Sequence, residues 1–580
     1  MKRSINIKIA GAAGEGIKSV GLMLSKSFVK AGYFTFDYME YPSLIRGGHN
    51  TYQANISNSP IWSQAKKIDI LICLNKQGLK LHKDELKKDS LVIFDPETVL
   101  VEAEKPLEEK KPANNGLNLT IPLKKIATDA GGLPIMANLA GLGAVMFLTG
   151  MDIKYLFLVI KQNFSKKGQE MVEQNQKVAA LGFEFAERKY SDHKIDLQEA
   201  SNKQEKILLT GNEAISLGAI AGGMKFYSAY PMTPATSILH YLASKAKEQG
   251  LVVKHAEDEI SVINMALGAS FAGVRVMTAT SGGGFALMSE ALGIAGIMEL
   301  PIVIVEGMRT GPSSGMPTWH DQGDLNFVLY ASQGEFPRMI ISPGDVEENF
   351  YLTKQAFYFA EKYQLPVIIL TDKYMAESLT TIKLPESVSE NEKRSFNLEP
   401  VSPFERYKDS ENGISLRTIP GQDKGVYLSN SYEHDLFGFA TEEIEMRNLM
   451  VEKRLRKFET LKKEVCQIKQ HVLGDPDAEI GIVSWGSNKG PIVEALKILE
   501  GKGTKASCLN LNVIWPFPEK QVVDYLSGKK FVIDIECNST AQLAGLIRQH
   551  TGIEIKERLL KYDGRPFYPE EIVTKLAELN

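Results

Sequence analysis

The sequence predicts an α/β protein built on doubly wound sheets, and the pattern of residues 257–315 supports this fold class. Apolar residues recur at helical spacing after Glu259, which predicts an amphipathic helix beginning there. The β-branched run VRVMTAT, the turn Ser281–Gly284, a second apolar helix and the buried-strand pattern PIVIVEG follow. Strand, glycine turn, helix and strand in this order are typical of a parallel sheet, whose ligands bind at the carboxyl ends of the strands.

Two charged residues occupy such positions. Glu259 opens the first helix, and Arg309 follows the last strand. An acid and an arginine at one sheet edge could bind a cofactor and an anion. Each also has a simpler interpretation. Glu257, Asp258 and Glu259 favour the positive end of a helix dipole, Arg309 suits a solvated loop, and Ser281–Gly284 suits a tight turn.

The upstream stretch YPMTPAT, residues 230–236, favours the functional interpretation. Pro231 and Pro234 flank Thr233 in a strand-to-helix loop. Proline fixes its own backbone, restricts the preceding residue and removes a backbone donor. We therefore expect the hydroxyl of Thr233 to be presented in a fixed direction.

Four ordered motifs, YPMTPAT, EDEISVINMALGASFAG, TATSGGG and RTGPSSGMPTWHDQGDL, resemble the α-type subunit of the 2-oxoacid:ferredoxin oxidoreductases, which use thiamine diphosphate. The resemblance extends over nearly the whole chain and implies three α/β domains. The expected segments are a γ-type domain at 1–190, a linker at 191–205, a doubly wound pyrimidine-binding domain at 206–380, an extended arm with a charged helix at 381–470, and a transketolase C-terminal-like domain at 471–580.

The resemblance also implies roles for the site residues. Glu259 falls on the catalytic acid that touches N1′ of the aminopyrimidine, a role that requires shielding from water. Thr233 falls where the family holds the substrate carboxylate or keto oxygen. Arg309 falls on an arginine whose planar fork suits a carboxylate. Further contacts to the cofactor are expected from Tyr230, Pro231, Ser281 and Gly282.

This sequence departs from the family pattern at a few positions. They are Met232 and Ala235 in YPMTPAT, Thr310 where glycine is common, and Gly283 where proline is usual. None of these departures removes a chemical group from the site. They therefore bear on the shape of the substrate.

Composition narrows the class of protein. A chain of 580 residues predicts about four domains. The net charge of −4, with acids and bases well mixed, indicates neither a nucleic-acid nor a membrane-surface partner. The N-terminal MKRSINIKIAGAAGEG lacks the apolar core of a signal peptide, so we expect a cytoplasmic protein. No Cys-x-x-Cys run occurs, so neither zinc nor an iron–sulfur cluster is expected on this chain. The four cysteines are Cys73, Cys466, Cys508 and Cys537.

The stretch Ala130–Met151 carries no charge and is long enough to cross a membrane. It also contains several glycines, a proline and Asn138, and it lacks basic flanks. These features favour a buried helix of a water-soluble domain. The resemblance agrees, because the γ-type domain of the family has a similar segment built around an asparagine.

The first glycine motif has the spacing G-x-x-G-x-G at Gly11, Gly14 and Gly16, which differs from the dinucleotide fingerprint. Close strand-to-helix packing explains it, and a phosphate at the helix N-terminus is the alternative. The following EYPSLIRGGHNTYQANIS, which contains Arg46 and His49, is similar to the γ-type domain. By resemblance this domain helps cover coenzyme A. His49 is either a ligand or, as we favour, an ordinary hydrogen-bonded loop histidine.

The segment from 381 to 470 is polar and ends in a charged helix, whose charges a solvated face would explain. However, EHDLFGFATEE and KRLRKFE resemble the 2-oxoglutarate branch of the family, which favours a dicarboxylic substrate. His434 in this motif is either near the active site or structural, and we favour the structural interpretation. Residues 471–580 return to an α/β pattern, with KYDGRPF as a structural marker.

The Gly-Asp-Gly motif that anchors magnesium and diphosphate in thiamine enzymes is absent from the sequence. By resemblance, a β-type partner should supply the magnesium ion, the diphosphate site and an iron–sulfur cluster, with the active site between chains. The expected assembly is a dimer of heterodimers that oxidatively decarboxylates a 2-oxoacid, transfers the acyl group to coenzyme A and reduces ferredoxin. Alternatives are a thiamine enzyme with another acyl acceptor and a non-catalytic subunit that binds coenzyme A or a partner.

Overall fold

The computed structural model describes residues 3–44, 47–99, 116–200, 205–383, 394 and 396–578. The chain forms two compact units. The first contains Met1–Leu209, Ser378–Leu384 and Tyr568–Glu571, and the second contains the remaining residues. No helix among the described residues combines the length and hydrophobicity that crossing a membrane requires.

The first unit is built on an eight-stranded mixed sheet. Its central strand is antiparallel to one neighbour and parallel to the other. The elements up to residue 210 are β1 (Ser4–Ala13), α1 (Ile17–Lys30), β2 (Phe34–Glu40), β3 (Gly47–Ser57), β4 (Ile68–Cys73), α2 (Lys76–His82), β5 (Leu86–Phe94), α3 (Pro96–Val99), β6 (Leu117–Thr120), α4 (Leu123–Asp129), α5 (Ala137–Leu148), α6 (Lys154–Phe164), α7 (Gln169–Tyr190) and β7 (Lys206–Thr210). The strand order is β6-β5-β4-β1-β3-β2, then Leu379–Lys383, then β7.

The pairing of β7 differs from expectation. The sequence suggested that this strand opens the next doubly wound domain, but it lies at the edge of the first sheet beside Leu379–Lys383. A strand's own residues do not specify which sheet it joins, because the hydrogen bonds come from segments distant in the chain. Within the expected linker, Ser191–His193 form a 3₁₀ turn, and residues 201–204 lie outside the described residues. The expected domain boundaries remain predictions.

Helix α5 confirms that the uncharged stretch contains a buried helix, since every residue of α5 is buried. Two glycines allow it to pack closely on α7. An added Cβ at Gly143 would lie 1.9 Å from the carbonyl oxygen of Ala179, and one at Gly182 would lie 2.1 Å from that of Ala140. Glycine at both positions therefore permits a close approach of the two backbones that any larger residue would prevent.

The first glycine motif is explained by backbone geometry. Gly14 and Gly16 have φ of 97° and 74°, in the region that favours glycine, and Gly16 is the N-cap of α1. Gly11 lies within β1 rather than in the turn. The backbone geometry therefore explains the glycines at 14 and 16 without any ligand. A phosphate bound at this helix remains a prediction. Arg46 of the following motif lies outside the described residues.

The second unit begins with a doubly wound domain, which confirms the predicted fold class. Six of its seven strands are parallel, and the antiparallel one is β18 (Val513–Trp515); the order is β18-β12-β13-β11-β10-β8-β9. The elements from 211 to 383 are α8 (Gly211–Ala221), β8 (Phe226–Ala229), α9 (Thr236–Gln249), β9 (Val252–His255), α10 (Glu259–Phe271), β10 (Val276–Thr280), α11 (Gly282–Ile297), β11 (Ile302–Met308), α12 (Leu325–Tyr330), β12 (Met339–Ile341), α13 (Val346–Tyr363), β13 (Pro366–Asp372), α14 (Lys373–Glu377) and β14 (Leu379–Lys383), the last belonging to the first sheet.

Residues 396–443 contain isolated bridges but no helix or strand, in keeping with the predicted arm. A five-stranded sheet follows, in the order β15-β17-β16-β19-β20, and only β15 runs antiparallel. The elements are α15 (Ile444–Val465), β15 (His471–Gly474), β16 (Ile480–Trp485), α16 (Lys489–Gly501), β17 (Ala506–Leu511), β18 (Val513–Trp515), α17 (Glu519–Ser527), β19 (Phe531–Glu536), α18 (Gln542–Thr551), β20 (Glu557–Leu560) and α19 (Pro569–Ala577).

The prediction that the charges of α15 form a solvated face is wrong at the centre of the helix. Lys453 and Lys457 are buried, and their ammonium groups lie 2.6 Å and 2.7 Å from the carboxylate of Glu299, which is also buried. Burial alone would raise the pKa of Glu299, but the two ammonium charges hold it well below its usual value. The helix is therefore anchored by a buried three-charge cluster, which a charge pattern alone cannot distinguish from a wet surface.

Replacing the acid of this cluster should destabilise the second unit. Glu299→Gln leaves two buried ammonium groups without a counter-charge, and breaking a buried pair in this way costs about 3–5 kcal/mol. Denaturant unfolding should show this loss. The control is Asp524→Asn, which removes the exposed pair with Lys520 on α17 and should change stability by less than about 1 kcal/mol. Equal effects of the two substitutions would contradict the role of burial.

Candidate functional site

The carboxyl edge of the seven-stranded sheet brings the predicted site residues together. Thr233 follows β8, Glu259 follows β9, Ser281 follows β10 and Arg309 follows β11. In the sheet β9, β8, β10 and β11 are consecutive neighbours. Because parallel strands present their carboxyl ends at one edge, the four segments converge there, at the position where open α/β sheets bind ligands.

Glu259 is more than a helix-dipole acid. The side chain of Asp258, the N-cap of α10, accepts a hydrogen bond of 2.7 Å from the backbone N–H of Ser261, so the capping function is already filled. Glu259 itself is only 4% exposed. Its Oε1 atom is buried, and no group of the described residues hydrogen bonds to it. A buried carboxyl oxygen without a partner is rare and points to a missing donor.

Gly284 shows how tightly this space is enclosed. An added Cβ there would lie 2.0 Å from Thr280 Oγ1 and 2.7 Å from Glu259 Oε1. Sequence analysis placed Ser281–Gly284 in a turn, but α11 begins at Gly282, so the glycines form the first helical turn. Glycine at 284 thus lets α11 start directly beside the carboxyl group of Glu259.

Arg309 contacts the loop that carries Thr233. Its Nη1 atom donates a hydrogen bond of 2.8 Å to the backbone carbonyl oxygen of Thr233. Burial lowers the pKa of Arg309, while the nearby carboxyl group of Glu306 opposes this shift. The structure therefore joins two of the predicted residues, through the backbone of Thr233 rather than the hydroxyl that the sequence emphasised.

The other expected cofactor contacts lie on the same edge. Ser281 is fully buried, and its Oγ atom has no hydrogen-bond partner among the described residues. An added Cβ at Gly282 would lie 2.5 Å from Asp324 Oδ2. Tyr230 is 39% exposed, and Pro231 is partly buried beside it. Ser281 and Gly282 thus line the enclosed part of the edge, whereas Tyr230 lies at its rim.

Glu306 was missed by sequence analysis. It lies in β11 beside Thr280 of β10, is completely buried, and neither carboxyl oxygen has a hydrogen-bond partner among the described residues. Burial, followed by the carboxylates of Asp324 and Asp372, raises its pKa well above the usual value, and Arg309 opposes them. The available signal was a single acid within the apolar strand pattern PIVIVEG.

Gln322, also missed, fixes the loop that follows Arg309. It is completely buried, and its Nε2 atom donates to Asp372 Oδ2 at 3.2 Å. Its Oε1 atom accepts from Asn488 Nδ2 at 2.7 Å and from the backbone N–H of Cys537 at 3.1 Å. The amide therefore uses both of its ends to tie this loop to β13 and to the C-terminal domain.

The two candidate histidines are both hydrogen bonded, and their roles remain predictions. His49, in β3 rather than a loop, has Nε2 2.7 Å from Nε2 of His82, whose Nδ1 lies 2.7 Å from the Glu85 carboxylate. Burial, helped by the neighbouring His82, lowers the pKa of His49 to about 4, so its ring is neutral. His434 is buried against the ring of Tyr407, and its nitrogens face two backbone carbonyls.

No cluster of three or more histidine, cysteine, aspartate or glutamate side chains suited to a metal occurs in the described part of the chain. The four cysteines are free, and only Cys466 is exposed. The polar groups gathered at the sheet edge are therefore an acid, an arginine and hydroxyl groups. Such a set can accept a hydrogen bond from a ring and can bind an anion.

Three family models match consecutive parts of the chain. Residues 6–185 match pyruvate ferredoxin/flavodoxin oxidoreductase, residues 217–453 match its thiamine diphosphate-binding domain, and residues 478–572 match core domain II of pyruvate:ferredoxin oxidoreductase. The 2-oxoacid:ferredoxin oxidoreductase subunit alpha of Saccharolobus solfataricus is 34% identical over 98% of this chain and 96% of its own length. The chain belongs to the 2-oxoacid:ferredoxin oxidoreductase family.

Two further members of this oxidoreductase family are similar to the chain. The 2-oxoglutarate synthase subunit KorA of Methanothermobacter marburgensis is 30% identical over 64% of this chain and 98% of its own length. A solved 2-oxoglutarate:ferredoxin oxidoreductase from Magnetococcus marinus, with 2-oxoglutarate, coenzyme A and succinyl-CoA bound, is 31% identical and has a TM-score of 0.89 over the whole of both chains. This oxidoreductase chain is therefore an alpha-type enzyme subunit, and the family resemblance found in its motifs is confirmed.

The two adjacent glycines at the start of α11 allow a direct test of the packing around Glu259. Gly284→Ala places a methyl group into Thr280 and Glu259, and overpacking of this kind costs about 1–3 kcal/mol. Gly283→Ala meets no atom within 4 Å and should stabilise the helix by up to about 1 kcal/mol. Chemical unfolding of both variants measures the difference. Equal stabilities would contradict the close contact at Gly284.

Proposed function

We propose that this chain supplies one half of a thiamine-dependent active site that oxidatively decarboxylates 2-oxoglutarate to succinyl-CoA and passes the electrons to ferredoxin. The observation that carries the proposal is the buried, unpartnered Oε1 of Glu259, at the same sheet edge as the Arg309–Thr233 contact. An acid that can contact the cofactor ring and a cation that can bind a carboxylate are the two groups that this reaction requires from the subunit.

The residues at the sheet edge fit the pyrimidine end of thiamine diphosphate. A carboxyl oxygen without a partner beside Gly284 leaves a place for a ring nitrogen or its proton. Ser281 adds a buried hydroxyl that has no hydrogen-bond partner among the described residues, with Gly282 next to it and Tyr230 and Pro231 at the rim. When bound, the cofactor supplies a nucleophilic carbon and an electron sink for the loss of carbon dioxide.

The role proposed for Glu259 is to exchange a proton with the ring that contacts it. Because the side chain is 4% exposed, water competes little for the carboxyl group. Because Asp258 already caps α10, Glu259 is free to serve the ligand. A group of this kind should influence turnover more than substrate binding.

The role proposed for Arg309 is to bind a carboxylate of the oxoacid. Among the described residues, the guanidinium donates one hydrogen bond, from Nη1 to the Thr233 carbonyl, which leaves its remaining N–H groups for an anion. Thr233 is proposed to help orient the same substrate. Partial burial strengthens the interaction with an anion, since less water screens it.

The choice of 2-oxoglutarate is supported by resemblance rather than by contacts. The motifs EHDLFGFATEE and KRLRKFE are engaged in structural ion pairs, including Glu433 with Arg454 at 2.7 Å and Glu299 with Lys457. Their similarity to the 2-oxoglutarate branch, together with the ligands of the Magnetococcus marinus enzyme, supports a dicarboxylic substrate and coenzyme A as the acyl acceptor.

A β-type partner subunit is proposed to complete the site with magnesium, the diphosphate-binding residues and an iron–sulfur cluster. The missing Gly-Asp-Gly motif supports this division. Large apolar side chains next to the site also support it, since Ile260, Leu287 and Met316 are 54%, 50% and 38% exposed. Exposed apolar groups around a polar site are typical of a surface that another chain covers. A dimer of such heterodimers remains part of the proposal.

The substrate and the acceptor can be tested together. Co-purified subunits should reduce viologen with 2-oxoglutarate faster than with pyruvate or branched oxoacids, and only when coenzyme A is present. Activity without coenzyme A would favour a thiamine enzyme with another acyl acceptor. Failure of the purified complex to bind thiamine diphosphate would favour a non-catalytic subunit.

Two substitutions separate the proposed roles of the acid and the cation. Arg309→Ala should raise KM for the oxoacid by about tenfold or more with a smaller effect on kcat, since it removes charge-assisted hydrogen bonds to the substrate. Glu259→Gln should lower kcat by about 100-fold or more with a smaller effect on KM. Steady-state kinetics of the complex measure both effects. An unchanged kcat and KM in either variant would contradict the role proposed for that residue.

A further inference from the structure

Glu306 lies within β11, three residues before Arg309, and the roles proposed for the sheet edge do not involve it. Its backbone pairs with Thr280 of β10 on one side and with Leu370 of β13 on the other. The side chain is completely buried, and both of its oxygens lack hydrogen-bond partners among the described residues. An ionised carboxylate without donors is very costly in such a place, whereas a neutral carboxyl group costs far less.

The neighbouring acid Asp372 shows the contrast. Its carboxylate accepts hydrogen bonds from Ser487 Oγ at 2.6 Å, from the backbone N–H of Met375 at 2.8 Å and from Gln322 Nε2 at 3.2 Å. Donors of this kind stabilise the charged form of an acid. Of the two buried acids, Asp372 is therefore the one whose carboxyl oxygens have donors, and Glu306 is the one whose oxygens have none among the described residues.

The charged groups that face Glu306 come from three elements. Asp324 precedes α12, Asp372 ends β13, and Arg309 follows β11. Asp321 and His320, on the same loop as Asp324, lie around Asp372, and His320 Nδ1 is 3.5 Å from Asp372 Oδ1. The two nearby carboxylates disfavour a third negative charge, and burial raises the pKa of Glu306 in the same direction.

Arg309 is the group that would change if Glu306 ionised. Its described hydrogen bond is to the neutral carbonyl of Thr233, and no carboxylate of the described residues lies within ion-pairing distance of its guanidinium. A neutral Glu306 leaves this charge uncompensated and ready for an anionic ligand. An ionised Glu306 would attract the guanidinium and reduce its pull on the substrate.

We propose that Glu306 is a positioning residue that acts through Arg309. It stays uncharged while the 2-oxoacid binds, so that the guanidinium is not paired with Glu306 and can bind the substrate carboxylate. This inference rests on the proposed function of the sheet edge. It predicts that substrate affinity falls when alkaline conditions remove the proton of Glu306, while the chemical step is affected less.

The test is the pH dependence of KM for 2-oxoglutarate in the complete complex. For the wild type, KM should rise by about tenfold from neutral to alkaline pH, the effect of losing one charge-assisted hydrogen bond. The range begins above the pKa of Asp321, which burial raises to about 6, so that acid is already ionised throughout. In Glu306→Gln, which cannot ionise, the ratio of KM at the two ends should stay within about twofold.

A second variant should move the effect in a defined direction and remains informative if Glu306→Gln fails to fold. Asp324→Asn removes a negative charge that faces Glu306, so Glu306 should ionise more readily and the rise of KM should begin at lower pH. A wild-type KM that is flat with pH, a Glu306→Gln profile equal to the wild type, or a rise that moves to higher pH in Asp324→Asn would each overturn the inference. If the wild-type complex turns over no 2-oxoacid, the proposed function itself is overturned.

Discussion

A carboxyl oxygen that is buried and has no hydrogen-bond donor among the described residues is the constraint on which the proposed site depends. Leaving such a group unsatisfied costs about 1–3 kcal/mol, so the fold must hold Glu259 in place by other interactions. Asp258 caps α10 in its stead, Val262 and Ile263 bury the helix against the sheet, and Gly284 lets α11 begin against the carboxyl group. Each of these features would be unnecessary for an acid that only stabilised a helix end.

Buried charges in this chain are arranged in two different ways. Glu299 is completely compensated by Lys453 and Lys457, and this cluster anchors α15. At the sheet edge, by contrast, the carboxyl group of Glu259 and the guanidinium of Arg309 lack such pairing among the described residues. Compensated charges hold a structure together, whereas uncompensated ones are available to a ligand. This contrast distinguishes the cluster that anchors α15 from the sheet edge that is proposed to bind ligands.

Much of the sheet edge was predictable from sequence, because its signals are local. The helix at Glu259, the strand at Val276–Thr280 and the position of Arg309 after an apolar strand all follow from periodicity and turn chemistry. The convergence of these segments follows from the geometry of parallel strands. The motif resemblance then gave the family, which the relatives confirm.

The features that could not be predicted from the sequence are those that depend on contacts between distant parts of the chain. The apolar periodicity of α10 would by itself place Ile260 on the buried face, but this side chain is 54% exposed and Glu259 is buried instead. The sheet that β7 joins depends on distant strands, and the burial of Lys453 depends on an acid 154 residues away. From the sequence, Glu306 is one polar residue in an apolar strand. Only the structure shows that its carboxyl oxygens are buried and have no hydrogen-bond partner among the described residues.

The central claim is that Glu259 is the acid that serves the aminopyrimidine ring of thiamine diphosphate. The most direct measurement is a structure of this chain assembled with its β-type partner and the cofactor. The account predicts the carboxyl group of Glu259 in hydrogen-bond contact with the ring, with Arg309 open toward the substrate side. A ring contacted by a different acid, with Glu259 distant from the cofactor, would contradict it.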